Sequence, residues 1–83
     1  MRIYRIDRGE EPIAEVQRYL RALSYLYSEI PHVGIDGIYG EETRAAVRAF
    51  QVLFSLSQTG VVDDETFSAL YRQHLKLPYR TRG

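Results

Sequence analysis

The chain contains no cysteine among its 83 residues. Neither a disulfide framework nor a thiolate zinc site is therefore available to it. It also carries no net charge, because eleven basic residues balance eleven acidic ones. This balance argues against nucleic acid and anionic membranes as partners, since both attract basic surfaces. The missing cysteines do not exclude a role at the cell surface, because export does not require disulfides.

Long apolar runs are missing as well. No stretch of the sequence is apolar over the roughly 20 residues that a membrane-spanning helix needs. Residues 1–8 lack the apolar run of a signal peptide. A domain that works outside the cell would need its export signal elsewhere, so we expect this chain to be one domain of a longer parent protein.

Recognisable catalytic patterns are also lacking. The serines lie in no nucleophile motif, and the two histidines, His32 and His74, do not have the spacing of metal ligands. Paired acids occur at residues 10–11, 41–42 and 63–65. Helix starts explain these acids better than a catalytic pair does, because a catalytic pair needs carboxyl groups that face each other in a cleft. We therefore predict no catalytic residue, no metal site and no cofactor.

A short internal repeat is the most informative feature that is present. Residues 34–43 read Gly-Ile-Asp-Gly-Ile-Tyr-Gly-Glu-Glu-Thr, and a shortened copy, Thr-Gly-Val-Val-Asp-Asp-Glu-Thr, occupies residues 59–66. Each copy combines a glycine turn, an apolar residue and a helix start with acids in its first turn, where they offset the helix dipole. A weaker third copy begins the helical part of the chain at residues 9–16. Three similar helix starts predict three helices joined by two organised loops.

The spacing of apolar residues locates these helices. Steps of three and four residues predict helices near residues 12–27, 41–55 and 64–75. Pro12 suits a first helical turn, and Pro78 disfavours helical geometry at the residue before it. We predict an all-α fold, a small monomeric three-helix bundle with Phe50 in its core and two pseudo-repeated loops. The domain is predicted to span residues 9–77, with flanking segments at 1–8 and 78–83.

The motifs resemble, in order and spacing, a known family. Residues 16–23 read Val-Gln-x-x-Leu-x-x-Leu, and residues 36–51 read Asp-Gly-Ile-Tyr-Gly-x-x-Thr-x-x-Ala-Val-x-x-Phe-Gln. Residues 59–70 read Thr-Gly-Val-Val-Asp-x-x-Thr-x-x-x-Leu. Together they are similar to the three-helix peptidoglycan-binding domain that is appended to many bacterial cell-wall hydrolases. The sequence departs from the family in the length of residues 24–33, which replace a short Leu-Gly-Tyr link, and in Glu41, where the family often has Pro.

The resemblance implies a non-catalytic module that binds bacterial peptidoglycan, through its glycan strand or its stem peptide. Such a module tethers an attached hydrolase, or a wall- or spore-associated protein, to its substrate outside the cytoplasm. A modest affinity suffices for this role, because binding sites recur along the polymer. The alternative is a protein-docking or regulatory domain of the same fold that binds no glycan. Its contact surface would be residues 24–33 or a basic tail comprising Arg72, Lys76, Arg80 and Arg82.

We predict that the two repeated loops form the functional site. Gly37 and Gly60 suit a backbone with positive φ, which lets the chain turn sharply into the next helix. We expect both loops on the same side of the bundle, with Ile38 and Val61 filling the core beneath each turn. In the second loop we favour the requirements of a helix start as the explanation for Gly60, Val61, Asp63 and Thr66, with Asp63 as the N-cap.

Five residues are predicted to bind the ligand: Asp36, Gly37, Tyr39, Gly40 and Gln51. The second copy has Val62 in place of Tyr39, so a helix start does not itself require an aromatic residue at this position. The Tyr39 ring either lies on a sugar or acyl face or covers the edge of the core. Asp36 either bonds the amides of its own turn, which we favour, or accepts from the ligand. Gln51, like Gln17, either ties its helix to a loop, which we favour, or contacts stem-peptide amides. The site is predicted to be a shallow groove between residues 36–40 and the second helix.

Overall fold

The computed structural model describes residues 10–77, with side-chain surroundings from Pro12 onward. It contains three helices, α1 (Glu10–Ser24), α2 (Glu41–Leu53) and α3 (Asp64–Leu75). No strand occurs within the described residues, so the predicted all-α three-helix fold is confirmed. The predicted flanking segments lie outside the described residues, and the domain bounds at 9 and 77 stay a prediction.

The starts of α2 and α3 follow the repeat. Asp63 is the N-cap of α3, and its carboxylate accepts a hydrogen bond of 2.9 Å from the backbone N–H of Thr66. This confirms the predicted capping role of Asp63. Gly40 occupies the same place before α2 in an extended conformation, without a side-chain cap. Two acids in the first turn of each helix offset the dipole there.

Both α1 and α2 end earlier than predicted. α1 stops at Ser24, whose hydroxyl donates to the Arg21 carbonyl at 2.6 Å. α2 stops at Leu53 because Ser55 takes a left-handed conformation with φ 60°. The N–H of Leu56 then donates to the Gln51 carbonyl at 2.7 Å, and the N–H of Ser55 donates to the carbonyl of residue 52 at 3.2 Å. This pair of bonds is the Schellman motif, which satisfies the last carbonyls of a helix.

The core lies between the three helices, and α1 packs against both α2 and α3. Phe50 is fully buried, as predicted, and its ring lies 4.7 Å from that of Phe54. The connection between α1 and α2 is also anchored, since Ile30 and Val33 are buried within it. Arg21 donates to the Val33 carbonyl at 2.9 Å, which fixes the end of the connection to α1. No helix in the described part of the chain is long and apolar enough to cross a membrane.

Candidate functional site

A single glutamine organises the first glycine loop, which we define as residues 36–40. Gln17 of α1 is fully buried beneath it. Its side-chain oxygen accepts from the N–H groups of Asp36 at 3.0 Å and Gly37 at 2.9 Å. Its amide nitrogen lies 2.9 Å from an Asp36 oxygen, 3.0 Å from the Ile38 carbonyl and 2.9 Å from the Thr43 hydroxyl. One side chain therefore fixes both the loop and the start of α2.

Gln51 of α2 repeats this arrangement at the second glycine loop, residues 59–63. It too is fully buried, and its oxygen accepts from the Gly60 N–H at 2.9 Å. Its nitrogen lies 3.2 Å from the Thr59 hydroxyl, 3.1 Å from the Val61 carbonyl and 3.0 Å from the Thr66 hydroxyl. The loop-tying role that we favoured for the two glutamines is confirmed. The ligand contact predicted for Gln51 stays a prediction, and its burial disfavours it.

The two loops have the same backbone geometry. Gly37 has φ 76° and Gly60 has φ 75°, which confirms the predicted positive φ at both positions. Before each glycine a side-chain oxygen accepts from the N–H two residues on. Asp36 accepts from Ile38 at 3.0 Å, and Thr59 accepts from Val61 at 3.1 Å. The sequence repeat is thus a structural repeat, and it includes the preceding glutamines.

The prediction that Ile38 and Val61 fill the core is wrong. Their side chains are 65% and 53% exposed. The carbonyl of each residue turns inward to the glutamine amide, and successive side chains of an extended chain point to opposite sides. The following residues face inward instead: Val62 is buried, and Tyr39 packs against the core.

Tyr39 joins the two loops. Its hydroxyl donates to the Gly60 carbonyl, so the loops are in direct contact on one side of the bundle, as predicted. Its half-buried ring lies 5.6 Å from the guanidinium carbon of Arg44. Burial raises the pKa of the Tyr39 hydroxyl, and the positive charge of Arg44 opposes part of this rise. Tyr39 therefore covers the edge of the core, and its contact with a ligand stays a prediction.

Asp36 has the local turn role that we favoured for it. The Ile38 N–H and then the Gln17 amide hold the pKa of the Asp36 carboxyl below its ordinary value, because both bonds favour the charged form. The carboxylate also lies at an exposed position. It is therefore ionised near neutral pH and presented at the surface of the first glycine loop.

The structure brings four of the five predicted site residues together in the first glycine loop, and it places Gln51 beneath the second. Sequence reasoning missed Arg44 and Arg48, which reach Gly60 from α2. It also missed the outward direction of Ile38. A signal for the latter was available, since the alternation of an extended segment assigns neighbouring side chains to opposite faces. Among the described residues, no group of three His, Asp or Glu could hold a metal ion.

We expect Gly60→Ala to destabilise the domain by about 1–2 kcal/mol, because φ 75° is unfavourable for an alanine. The added Cβ would also lie 2.9 Å from Arg44 Cγ. Gly34→Ala is the matched control, since Gly34 does not have positive φ and no atom would lie within 4 Å of its Cβ. Urea unfolding of the two variants measures the difference. Equal stability of Gly60→Ala and the unaltered chain would contradict the strained turn.

Comparison with known proteins agrees with this geometry. The model of a family described as "Putative peptidoglycan binding domain" matches residues 9–70, which include both glycine loops and both glutamines. The chain therefore belongs to this family. No solved structure matches the chain.

Three curated proteins are similar to the chain over most of its length. The N-acetylmuramoyl-L-alanine amidase CwlA of Bacillus subtilis is 42% identical over 61% of this chain and 19% of its own length. The uncharacterized protein FadG of the same organism is 31% identical over 82% of this chain and 11% of its own. A protein of Synechococcus elongatus named "Putative OxPP cycle protein OpcA" is 40% identical over 78% of this chain and 14% of its own length. The chain spans less than one fifth of each relative.

Proposed function

We propose that this domain binds bacterial peptidoglycan without catalysing a reaction on it, and that it holds an attached hydrolase or wall-associated protein at the polymer. The observation that carries the proposal is the family match over residues 9–70, which covers the whole repeat of glutamine, glycine turn and helix start. The similarity to a cell-wall amidase supports it. Catalysis would then reside in another part of a longer protein, outside the cytoplasm in the cell wall or spore envelope.

We assign the binding surface to the first glycine loop and the part of the second that touches it. Ile35, Ile38 and Val61 are 45%, 65% and 53% exposed, although each is a large apolar residue. Ile38 and Val61 are held outward by turns whose backbone bonds are internally satisfied. A rigid surface of this kind loses little conformational freedom on binding. It offers apolar contact beside the ionised Asp36, a combination that suits the methyl and amide groups of peptidoglycan.

Sedimentation with purified sacculi tests this assignment. We expect Ile38→Thr to weaken binding about three- to tenfold, because it removes apolar area worth roughly 0.8 kcal/mol per buried methylene while leaving the backbone of the turn unchanged. Leu26→Thr is the matched control: Leu26 is 51% exposed but lies after the end of α1. It should bind sacculi like the unaltered chain. Equal binding by both variants would place the site elsewhere.

Two further variants address Tyr39. Tyr39→Phe keeps the ring and removes the bond to the Gly60 carbonyl, whereas Tyr39→Ala removes both. If the ring contacts the ligand, Tyr39→Phe should retain sacculus binding and Tyr39→Ala should lose it several-fold at a temperature where both are folded. Full binding by folded Tyr39→Ala would restrict this residue to its place at the edge of the core.

The alternative function is protein docking without glycan binding. The exposure of two large side chains in the connection that follows α1 favours it. The contact surface would then be residues 24–33, where Tyr25 and Leu26 are 59% and 51% exposed. Sacculi before and after amidase digestion of their stem peptides separate the possibilities. If digestion abolishes binding of the domain to sacculi, the stem peptide is the ligand, and if binding is retained, the glycan is the ligand. If the domain binds neither digested nor undigested sacculi, protein docking is favoured.

A further inference from the structure

Two arginines of α2 reach the place where the glycine loops meet. A Cβ built on Gly60 would lie 2.9 Å from Arg44 Cγ, 3.5 Å from Arg44 Cδ and 3.5 Å from Arg48 Nη2. The aliphatic part of Arg44 therefore lies on the backbone of Gly60, and the guanidinium of Arg48 comes close to the same residue. Gly60 lacks a side chain where these two arginines approach it.

The side chain of Arg44 contacts Tyr39 as well as Gly60. Its guanidinium carbon lies 5.6 Å from the centre of the Tyr39 ring, at a distance typical of a cation–π contact. Tyr39 is itself held by its hydrogen bond to the Gly60 carbonyl. A cation that is already oriented in this way loses less side-chain freedom when it binds an anion.

The two positive charges have no acidic partner in the described part of the chain. Neither Arg44 nor Arg48 forms an ion pair there. Like charges four residues apart on a helix repel each other, at a cost of a few tenths of a kcal/mol. Arg48 is exposed and Arg44 is half-buried, so both remain accessible from solvent. The described part of the chain thus has two arginines without an ion pair that approach the same glycine beside the proposed binding surface, although the net charge of the full chain is zero.

We infer that Arg44 and Arg48 form an anion-binding subsite that recognises a free carboxylate of the peptidoglycan stem peptide. This inference rests on the proposed function and specifies which part of the polymer is read. The planar guanidinium group matches a carboxylate through paired hydrogen bonds. The neighbouring apolar side chains of Ile38 and Val61 would contact the methyl groups of the same peptide.

Calorimetry with muropeptides released from sacculi by a muramidase tests the inference. We expect Arg48→Gln to weaken the affinity about tenfold, the effect of one charged hydrogen-bonding partner. Arg72→Gln makes the same change of charge at an exposed position in the last turn of α3 and should bind within twofold of the unaltered chain. Muropeptides whose carboxylates have been converted to amides with carbodiimide and ammonia should bind the unaltered chain about tenfold more weakly, and Arg48→Gln should not distinguish them from native ones.

The outcomes separate the inference from the proposed function. If the unaltered chain binds native and amidated muropeptides equally, or if Arg48→Gln binds as the unaltered chain does, the carboxylate subsite is overturned and peptidoglycan binding stands. If neither muropeptides nor sacculi bind at all, the proposed function and the inference both fail. Sacculi stripped of phosphate polymers with hydrofluoric acid form the last arm. Retained binding supports a carboxylate, whereas lost binding identifies phosphate as the anion and overturns the assignment to the stem peptide.

Discussion

Phe50→Ala is expected to destabilise the domain by about 3–5 kcal/mol, the usual cost of removing a fully buried phenylalanine ring. Phe50 is 0% exposed and contacts Phe54, whose ring in turn meets that of Tyr27 edge to face at 5.5 Å. Through Phe54, the Phe50 ring thus connects α2 to the residues that follow α1. A domain of this size has a total stability of only about 5–15 kcal/mol, so the loss takes a large share of it.

Thermal unfolding followed by circular dichroism measures this effect. A loss of 1 kcal/mol lowers the melting temperature of a small domain by roughly 4–8 °C, so Phe50→Ala should melt at least about 12 °C lower. Val52→Ala is the control on the same helix, because Val52 is 53% exposed and its truncation should change stability by less than about 0.5 kcal/mol. Similar melting temperatures for the two variants would contradict the packing of α2.

Gln17→Leu should be the next most damaging change, at about 2–4 kcal/mol, because it leaves several polar groups of the first glycine loop without their partner. The N–H groups of Asp36 and Gly37 lose their acceptor, and the Ile38 carbonyl loses a donor. Leucine has a similar volume, so the loss reports hydrogen bonding more than packing. The loop can recover part of it by opening toward water, which would also disorder the proposed binding surface.

Amide hydrogen exchange locates the effect of this variant. In the unaltered chain the N–H of Gly37 is buried against Gln17 and should exchange slowly. In Gln17→Leu it should exchange much faster, whereas the N–H of Gly60, which donates to Gln51, should stay comparatively protected. Gln58→Leu is the matched control, since Gln58 is exposed and forms no such network. Unchanged protection of Gly37 in the variant would contradict the role assigned to Gln17.

The sequence predicted the number of helices and the start of α2 and α3 because those features depend on local signals. The acids of the first turns, the N-cap Asp63 and the apolar spacing each act within a few residues. The predicted ends of α1 and α2 were too late by three and two residues, whereas the end of α3 at Leu75 was correct. α2 ends where Ser55 adopts positive φ, which the sequence does not signal, because serine rarely takes that conformation.

The site was only partly predictable. Its glycine turns could be read from the repeat, since positive φ strongly favours glycine. The sequence allowed the two glutamines to be proposed as loop-tying residues. It did not identify the groups to which they hydrogen-bond, because most of these groups belong to residues distant in sequence. The approach of Arg44 to Gly60 depends on how α2 lies against the second glycine loop. Apolar spacing identifies which face of a helix is buried, but it does not specify the position of that helix relative to a loop.

Nuclear magnetic resonance titration of the isotope-labelled chain with muropeptides locates the bound ligand residue by residue. We expect the largest changes in backbone amide shifts to fall on residues 36–40 and on Gly60 and Val61. The amides of Tyr25 and Leu26 should change little, although these side chains are comparably exposed. Saturable changes confined to residues 24–33, or no changes at millimolar muropeptide, would contradict the claim that the paired glycine loops bind peptidoglycan.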